Sequence, residues 1–281
     1  MAPAHVAVIQ GSGTGIGLHI TRQYLSRTNL QVVALSRDAK RAKEAILANA
    51  ASDKSLDPQR LHVLDIDIKN EATIQKAAET VQSRFGERSL RALWNISGIL
   101  KAEKNLGQVE FQNVLDMFQI NSIGHLLAFK HFVPLVPKAT RATNDSEASR
   151  DADPANGLLP KDLSVLASLS ARVGSIEDNG KGGWYSYRSS KASLNQIIRT
   201  LSHELNLRNI PALSIALHPG TVRTQLSKDF TGGPGSDKPL DRSKGQFEPL
   251  EAAENLIEVV SKLTKEDSGG FRDWKGEKIP W

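Results

Sequence analysis

The stretch His5-Val6-Ala7-Val8-Ile9-Gln10-Gly11-Ser12-Gly13-Thr14-Gly15-Ile16-Gly17 stands near the start of the chain and decides the fold. Its apolar first half predicts a buried β-strand over Val6–Gln10. The glycines that follow allow the backbone to turn sharply, and a helix is predicted directly after them, over Ile16–Arg27. Free N–H groups and a partial positive charge at the start of a helix favour a bound phosphate. The order of strand, turn and helix therefore predicts a site for a phosphate-containing ligand.

Short β-rich runs and longer amphipathic segments alternate along the rest of the chain. The predicted strands after the first are Gln31–Ser36, Leu61–Ile66, Leu90–Ile96, Leu163–Ser168, Ala212–Leu217 and Gly269–Trp274. The predicted helices after the first include Ala39–Ala51, Glu71–Phe85 and Gln108–Leu135. Several strands are apolar throughout, as in a sheet with helices on both faces. The pattern predicts one α/β domain over residues 1–281, a Rossmann-type doubly wound parallel sheet of about seven strands.

Two segments interrupt this alternation. Residues 138–160 are polar and poor in large apolar side chains, and they predict a mobile surface insertion. Residues 225–250 follow the sixth strand and contain Gly232–Gly235, a composition that predicts a flexible flap beside the substrate. A lid over the substrate and an inert long loop both fit the composition of the flap.

The composition limits the classes of function. The chain has 36 basic and 31 acidic residues, a net charge of +5 and no dense basic run, which argues against a nucleic-acid partner. It has no cysteine and no histidines at ligand spacing, so we expect no disulfide and no metal site. No apolar run reaches the roughly 20 residues of a membrane span, and the early first strand leaves no room for a signal peptide. We expect a cytoplasmic protein with a small-molecule partner.

The glycine spacing and four later motifs resemble those of the short-chain dehydrogenase/reductase family. They follow the family's order along almost the whole chain: Gly11-x-x-x-Gly15-x-Gly17, Trp94–Gly98, Gln119–Ser122, Tyr187-x-x-x-Lys191 and Pro219–Thr224. Residues 170–176 and 270–274 are similar to a subgroup that includes bacterial C-factor and the carbonyl reductase Sniffer. The resemblance implies a homo-oligomer that transfers a hydride between a nicotinamide cofactor and a carbonyl or alcohol.

The resemblance also implies the residues of a cofactor site. Asp67 and Ile68 resemble the family's adenine-binding pair, and Asp65-Ile66 offers a second register. The spacing to the helix that begins at Glu71 favours Asp67. The full set of expected cofactor contacts is Gly11, Ser12, Gly13, Thr14, Gly15, Ile16, Gly17, Ser36, Arg37, Asp67, Ile68, Asn95, Ser97, Gly98, Tyr187, Lys191, Pro219, Gly220, Val222 and Thr224.

The end of the second strand indicates which cofactor is bound. An acidic residue there would bind the ribose hydroxyls of NAD, but the chain has Ser36 and Arg37. A serine leaves room for a 2′-phosphate, and an arginine supplies a charge to pair with it. We therefore expect NADP(H) rather than NAD(H). The alternative is that Arg37 is a solvated residue at the start of the next helix.

Tyr187 and Lys191 are the expected acid–base pair. They lie one helical turn apart and therefore face the same side of a helix. A free tyrosine has a pKa of roughly 10, and we expect the Lys191 ammonium and the positive nicotinamide ring to lower the pKa of Tyr187. Tyr187 then exchanges a proton with the substrate oxygen. The resemblance adds Asn121 as the residue that holds a water and relays protons through Lys191.

The serine that usually orients the substrate is displaced. The family places it three residues before a glycine, here Gly174, and that position is Ala171. A hydroxyl is needed to hold the substrate carbonyl, so we expect Ser170 to take this role, with Ser175 as the next candidate.

Two other classes of function fit the same fold. If no serine serves, the protein is catalytically weak or inactive and acts as a nucleotide sensor or scaffold. An epimerase or dehydratase can share the tyrosine and lysine, but the chain after Lys191 is short for the substrate domain of such enzymes. Turnover of carbonyl compounds with NADPH distinguishes these classes.

Overall fold

The computed structural model describes residues 5–48, 55–138 and 153–281. The strands are β1 Val6–Gln10, β2 Gln31–Ser36, β3 Leu61–Asp65, β4 Leu90–Asn95, β5 Ser164–Leu169, β6 Ala212–His218, β7 Thr221–Val222, β8 Gln246–Phe247 and β9 Gly270–Asp273. The α-helices are α1 Gly15–Arg27, α2 Ala39–Leu47, α3 Glu71–Phe85, α4 Phe111–Phe118, α5 Gly124–Phe132, α6 Tyr185–Leu207, α7 Lys228–Thr231 and α8 Pro249–Ser261. Within these three ranges, no helix is long and apolar enough to cross a membrane.

Seven of the strands form one parallel sheet in the order β3-β2-β1-β4-β5-β6-β9. The order reverses direction between β1 and β4, which is the topological switch point of a doubly wound sheet. The predicted Rossmann-type fold is confirmed, and each predicted strand ends within one residue of its observed bounds. Of the helix predicted over Ala39–Ala51, the part to Leu47 is observed, and residues 49–54 lie outside the described ranges.

β1 shows why the sheet is buried on both faces. Successive side chains of a strand point to opposite faces, and all of its residues are buried. Ala7 and Ile9 enter one hydrophobic core, which α1 and α8 close from outside. Val6 and Val8 enter the other core, which α3, α5 and α6 close. The continuous apolar run at the start of the sequence therefore serves two cores.

The helix predicted over Gln108–Leu135 begins at Phe111 and is interrupted. Residues Gln119–Ile123 form a π-helical segment between α4 and α5, and the Gly124 N–H donates to the Gln119 carbonyl. A π-helical segment widens the helix by one residue and occurs frequently at functional sites. The interruption places the residues around Asn121 against the start of α6.

The insertion predicted over residues 138–160 is described only in part, because residues 139–152 lie outside the described ranges. The insertion stays a prediction, and its last part, residues 153–160, contains both exposed and buried residues. Apolar side chains of this part are buried in the core beneath α1 and α8, namely Ala155, Leu158 and Leu159. These side chains fix the chain to the sheet just before β5.

Tyr24 and Trp94 form a buried aromatic pair between α1 and β4. The Trp94 indole N–H donates to the Tyr24 hydroxyl at 3.1 Å, and the rings meet edge to face with centroids 6.4 Å apart. Both side chains are fully buried. Loss of the Tyr24 hydroxyl would therefore leave a buried donor without an acceptor.

We expect Tyr24→Phe to lower the free energy of unfolding by about 1–3 kcal/mol, because the ring stays and the Trp94 indole loses its acceptor. Urea denaturation of the purified protein measures this change. Tyr185→Phe is the matched control, because Tyr185 is 43% exposed and loses the same hydroxyl at the surface. Equal free energies of unfolding for Tyr24→Phe and the wild type would contradict the prediction.

Candidate active site

A cleft of about 1400 Å³ opens at the carboxyl ends of the parallel strands, across the switch point between β1 and β4. Ligands of open α/β sheets bind at this place. The volume exceeds the range of about 300–1,000 Å³ for ordinary ligand pockets, so a dinucleotide and a small substrate fit together. Most residues expected at the site line the cleft: Gly11, Gly13, Thr14, Gly15, Ile16, Ser36, Arg37, Asp67, Ile68, Ser97, Gly98, Ser170, Tyr187, Lys191, Pro219, Gly220, Val222 and Thr224.

The glycine turn forms a cradle at one end of the cleft. Gly11 and Gly15 have φ values of +86° and +55°, a region that side chains disfavour. A Cβ atom at Gly13 would lie 2.8 Å from the Ser36 hydroxyl, and one at Gly17 would lie 2.1 Å from the Gly11 carbonyl oxygen. The glycines therefore let the turn pack closely against β2 and α1, and the N–H groups at the start of α1 favour a pyrophosphate there.

Positive side chains line the cleft beside the cradle, where β2 meets α2. Arg37 and Arg41 supply the positive charge at this end, and Ser36 lies beside them in the lining. Arg37 is exposed and has no ion pair or side-chain hydrogen bond with any other described residue. The nearby Asp38 carboxylate is occupied, because it accepts from the Arg41 N–H at 2.9 Å and caps α2. This end of the cleft can therefore pair with an anionic group.

The structure distinguishes the two acidic residues after β3. The Asp65 carboxylate accepts from the Ala39 N–H at 2.9 Å and faces α2. Asp67 and Ile68 line the cleft, and the Asp67 carboxylate accepts from the Lys69 N–H at 3.0 Å. The register that places Asp67 at the cofactor end is the one that the geometry supports.

Ser12, Gly17 and Asn95 do not line the cleft, although the sequence made them expected cofactor contacts. The buried Ser12 hydroxyl donates to the Leu35 carbonyl at 3.1 Å and closes the turn onto β2. Gly17 lies in α1, where a missing side chain lets the helix approach Gly11. Asn95 is fully buried at the end of β4, and its amide has no hydrogen-bond partner among the described residues. These three residues pack behind the residues that line the cleft.

Gln10 lines the cleft at the end of β1 and was missed by the sequence analysis. Its Nε2 donates to the Ser97 hydroxyl at 2.5 Å, and the Ser97 N–H donates to its Oε1 at 3.1 Å. Behind Ser97, the buried ring of His125 lies 2.9 Å from the Ser97 carbonyl oxygen. Burial lowers the pKa of His125 to about 3, so the ring is neutral. A polar residue at the carboxyl end of a buried strand was the available signal for Gln10.

Tyr187 and Lys191 lie side by side near the start of α6, and both are buried. The Lys191 Nζ lies 6.0 Å from the centre of the Tyr187 ring and donates to the Leu169 carbonyl at 2.7 Å. Burial raises the pKa of Tyr187 and lowers the pKa of Lys191 to about 7. Burial therefore shifts the pKa of Tyr187 in the direction opposite to the expected lowering.

Asn121 is fully buried in the π-helical segment and does not line the cleft. Its Oδ1 accepts from the Ile99 N–H at 2.8 Å, and its Nδ2 donates to the Ile99 carbonyl at 2.9 Å and to the Ser190 hydroxyl at 3.0 Å. The Ser190 hydroxyl donates to the Tyr187 carbonyl at 2.8 Å. Both amide protons of Asn121 are thus used to join the loop after β4 to the start of α6.

The hydroxyls of Ser170 and Ser175 both form hydrogen bonds with residues other than Tyr187. The Ser170 hydroxyl donates to Asn195 Oδ1 on α6 at 2.6 Å. The Ser175 hydroxyl donates to the main-chain carbonyl of Trp281 at 3.2 Å, outside the cleft lining. In the part of the chain that the structure describes, no hydrogen bond joins either serine to Tyr187. Ser170 lines the cleft, but its hydroxyl proton is used by Asn195 on α6, and its expected role in orienting the substrate stays a prediction.

Ala171 packs beside Tyr187 on the segment after β5. It forms a small apolar cluster with Tyr187 and Met117, and Trp184 packs against the cluster. The surroundings of the Tyr187 ring are therefore apolar at the place where the family has a hydroxyl. The alanine at this position therefore places an apolar side chain, rather than a hydroxyl, beside the Tyr187 ring.

The predicted flap contacts the substrate end of the cleft through Phe230. The Phe230 ring lies 5.4 Å from the ring of Trp184, and Trp184 meets Tyr187 edge to face at 6.1 Å. Trp184 has a φ of +52° and immediately precedes α6. Three aromatic rings in sequence thus connect the segment around Phe230 to Tyr187.

Arg223 binds the flap to the cofactor end. Its guanidinium donates to the carbonyls of Ser236 and Lys238 and forms an ion pair with Glu248 at 3.3 Å. Its chain neighbours Val222 and Thr224 line the cleft. The paired strands β7 and β8 join the same two segments. The flap is therefore attached at its base to residues expected to contact the cofactor.

The histidines give no sign of a metal site. His218 lines the cleft at the end of β6, and burial lowers its pKa to about 4, so its ring is neutral. Beside it, Arg172 and Asp273 form an ion pair at 3.2 Å. Within residues 5–48, 55–138 and 153–281, no cluster of three His, Asp or Glu side chains could hold a metal ion.

Known proteins share this architecture. The family profile described as short chain dehydrogenase matches residues 5–143. C-signal of Myxococcus xanthus is 29% identical over 189 residues, which are 67% of this chain and 91% of C-signal. The NADPH-bound carbonyl reductase from chicken fatty liver is 28% identical, with a TM-score of 0.76 over 99% of this chain and 100% of that one. Carbonyl reductase Sniffer of D. melanogaster is 24% identical, with a TM-score of 0.75 over the same shares.

The profile match contains the glycine cradle and Asn121, and the chicken enzyme extends the similarity over Tyr187 and Lys191 to the end of the chain. The expected likeness to C-factor and Sniffer is confirmed by these matches. The chain belongs to the short-chain dehydrogenase/reductase family of oxidoreductases.

Proposed function

We propose that the protein interconverts a small carbonyl compound and an alcohol, with NADP(H) as its cofactor. The observation that carries this proposal is the burial of Tyr187 and Lys191 together in the cleft that also contains the glycine cradle. The similar carbonyl reductase from chicken has NADPH bound. The substrate is expected between the catalytic pair and Trp184, which lines the same cleft.

The residues of the cleft fit this cofactor from end to end. The glycine cradle suits the pyrophosphate, and Arg37 and Arg41 can pair with a 2′-phosphate. A Cβ atom at Gly98 would lie 3.6 Å from Lys191 Nζ, so a glycine keeps the space beside this lysine open for a ribose. When bound, NADPH supplies the hydride that reduces the carbonyl carbon.

Tyr187 supplies the proton in this mechanism. Its raised pKa keeps the phenol protonated at neutral pH, ready to donate a hydrogen bond to the substrate oxygen. The phenolate that forms after proton transfer is stabilised by Lys191, whose pKa of about 7 allows it to gain and lose a proton near neutrality. Alcohol oxidation runs through the same groups in reverse. The proposal also includes a proton relay through a water held by Asn121. Only the resemblance to the family supports this relay.

We expect Tyr187→Phe to lower kcat for carbonyl reduction by about 100-fold or more, because the proton donor is lost. NADPH binding should change little, since the ring and Lys191 remain. NADPH oxidation with a panel of aldehydes, ketones and quinones measures kcat, and NADPH fluorescence measures binding. Tyr185→Phe serves as the control at an exposed position of the same helix. Full activity in Tyr187→Phe would rule out the mechanism.

The preference for NADP(H) depends on Arg37 in this proposal. We expect Arg37→Ala to raise KM for NADPH by about tenfold or more and to leave kcat/KM for NADH nearly unchanged, because only the 2′-phosphate loses a charged partner. Arg208→Ala is the control, since the exposed Arg208 pairs with Glu204 at 3.1 Å, outside the cleft lining. A wild-type preference for NADH over NADPH would show that Ser36 and Arg37 do not select the cofactor.

We further infer that Tyr187 orients the substrate carbonyl without a serine hydroxyl. The serine position of the family is Ala171, which packs in the apolar cluster around Tyr187. The nearest alternative, Ser170, already donates to Asn195. A single hydrogen-bond donor then faces the substrate oxygen, where the family normally has two.

Restoring the second donor should raise activity. We expect Ala171→Ser to increase kcat/KM by about tenfold, since one added donor to a developing oxyanion is a large effect. Ser170→Ala is the paired variant and should change kcat/KM by less than about twofold, apart from any loss of stability through Asn195. Steady-state kinetics with one aldehyde measures both variants. Loss of turnover in Ser170→Ala would return the orienting role to Ser170.

A nucleotide-binding protein without turnover is the second candidate function, and Ala171 is the observation that favours it. This candidate predicts NADPH binding that Arg37→Ala weakens, together with no NADPH oxidation against the carbonyl panel. It also predicts that Ala171→Ser creates activity rather than increasing it. Turnover by the wild-type protein excludes this candidate.

We also propose a cytoplasmic homo-oligomer that has no nucleic-acid partner. The helices around the π-helical segment expose large apolar side chains, namely Phe111, Leu115, Ile123 and Leu126. Such a surface on a folded chain marks a contact with another protein, and two copies related by a two-fold axis can cover the same surface on each other. Light scattering of the purified protein measures the number of copies, and a monomer at all concentrations would contradict the proposal.

A further inference from the structure

We infer that Glu103 is a positioning residue for Tyr187, an inference that rests on the proposed function. Glu103 lies in the loop after β4, and only 2% of it is exposed. It does not line the cleft, and no cation of the described residues lies within ion-pair distance of its carboxylate. A buried charge is costly unless its oxygens are satisfied, so the partners of this carboxylate indicate its role.

Among the described residues, the hydrogen bonds of Glu103 all join it to Trp184 and Ser186 at the start of α6. Its Oε2 accepts from the Ser186 N–H at 2.8 Å, and its Oε1 accepts from the Ser186 hydroxyl. Its main-chain carbonyl accepts from the Trp184 N–H at 2.6 Å. Side chain and main chain of one residue therefore hold the first turn of the helix from outside.

This arrangement replaces a missing helix cap. The first N–H groups of a helix have no partner within the helix, and the preceding residue usually supplies an acceptor from its side chain. The residue that precedes α6 is Trp184, whose side chain accepts no capping hydrogen bond. Glu103 supplies the acceptor from a position 83 residues away in sequence. The partial positive charge of the helix start also compensates its buried negative charge.

Tyr187 directly follows Ser186, the residue that the Glu103 carboxylate binds. A second set of contacts reaches the same turn from Asn121, whose amide joins Ile99 to the Ser190 hydroxyl. Ile99 and Glu103 belong to one loop, so this loop holds α6 on both sides of Tyr187. Fraying of the first turn would move the phenol relative to the substrate, and small displacements of reacting groups have large effects on rate.

Two substitutions separate the contacts of Glu103. Glu103→Gln keeps an oxygen that can accept from the Ser186 N–H, whereas Glu103→Ala removes both side-chain acceptors. Asn70→Ala is the matched control, because Asn70 caps α3 by accepting from the Ala72 N–H at 3.1 Å. It removes the same kind of contact from a helix that does not carry Tyr187.

At saturating NADPH, we expect Glu103→Ala to lower kcat by about tenfold or more, with the NADPH dissociation constant within about twofold of the wild type. Glu103→Gln should recover part of this loss. Asn70→Ala should lower the melting temperature comparably and keep kcat within about twofold of the wild type. If Glu103→Ala and Asn70→Ala retain the same kcat, Glu103 is only a structural cap and the inference is overturned.

Hydrogen exchange separates this inference from the proposed function, because it is measured on the protein without turnover. We expect Glu103→Ala to speed exchange of the amides at residues 185–191 and to leave the rest of α6 protected. A wild-type protein that oxidises no NADPH would overturn the proposed function, and faster exchange in this variant would still support Glu103 as the residue that fixes Tyr187. Unchanged exchange over residues 185–191 would overturn the inference in either case.

Discussion

The close contact between α1 and the glycine turn is the constraint on which the rest of the structure depends. The Gly11 carbonyl oxygen occupies the space that any side chain at residue 17 would need. The helix therefore starts directly on the turn, and its free N–H groups face the cleft. From this point α1 packs on α8, and Tyr24 reaches Trp94 on β4. The switch point between β1 and β4 is thereby fixed, and the cleft opens there.

The catalytic end of the cleft is governed by burial more than by charge. Tyr187 and Lys191 each stay closer to neutral than in water, since both lose hydration on entering the protein. The apolar cluster around Ala171 and Met117 strengthens this effect on the phenol. A proton that moves between such groups is exchanged in surroundings where each charge is costly. The geometry of the pair then matters more than the presence of an ammonium one turn away.

Much of this architecture could be predicted from the sequence, because buried parallel strands are continuous apolar runs with clear ends. The order of the motifs located the cradle and α6, although only the motifs at Gly11–Gly17, Trp94–Gly98 and Pro219–Thr224 lie at the ends of strands. The direction of individual side chains could not be predicted. Ser170 donates to Asn195 on another element, and Glu103 binds Ser186 across a long separation that leaves no local pattern. The pKa of Tyr187 depends on burial, which spacing along a helix does not reveal.

The contacts of Arg223 have a consequence for how this protein can change over evolution. Its guanidinium binds the main-chain carbonyls of Ser236 and Lys238, and a main-chain carbonyl is the same in every residue. The segment around Phe230 can therefore exchange its side chains and keep its attachment. The side chains that face Trp184, such as Phe230, are not needed for this attachment. Under the proposed function, this stretch of chain is where the substrate specificity of the protein is open to change.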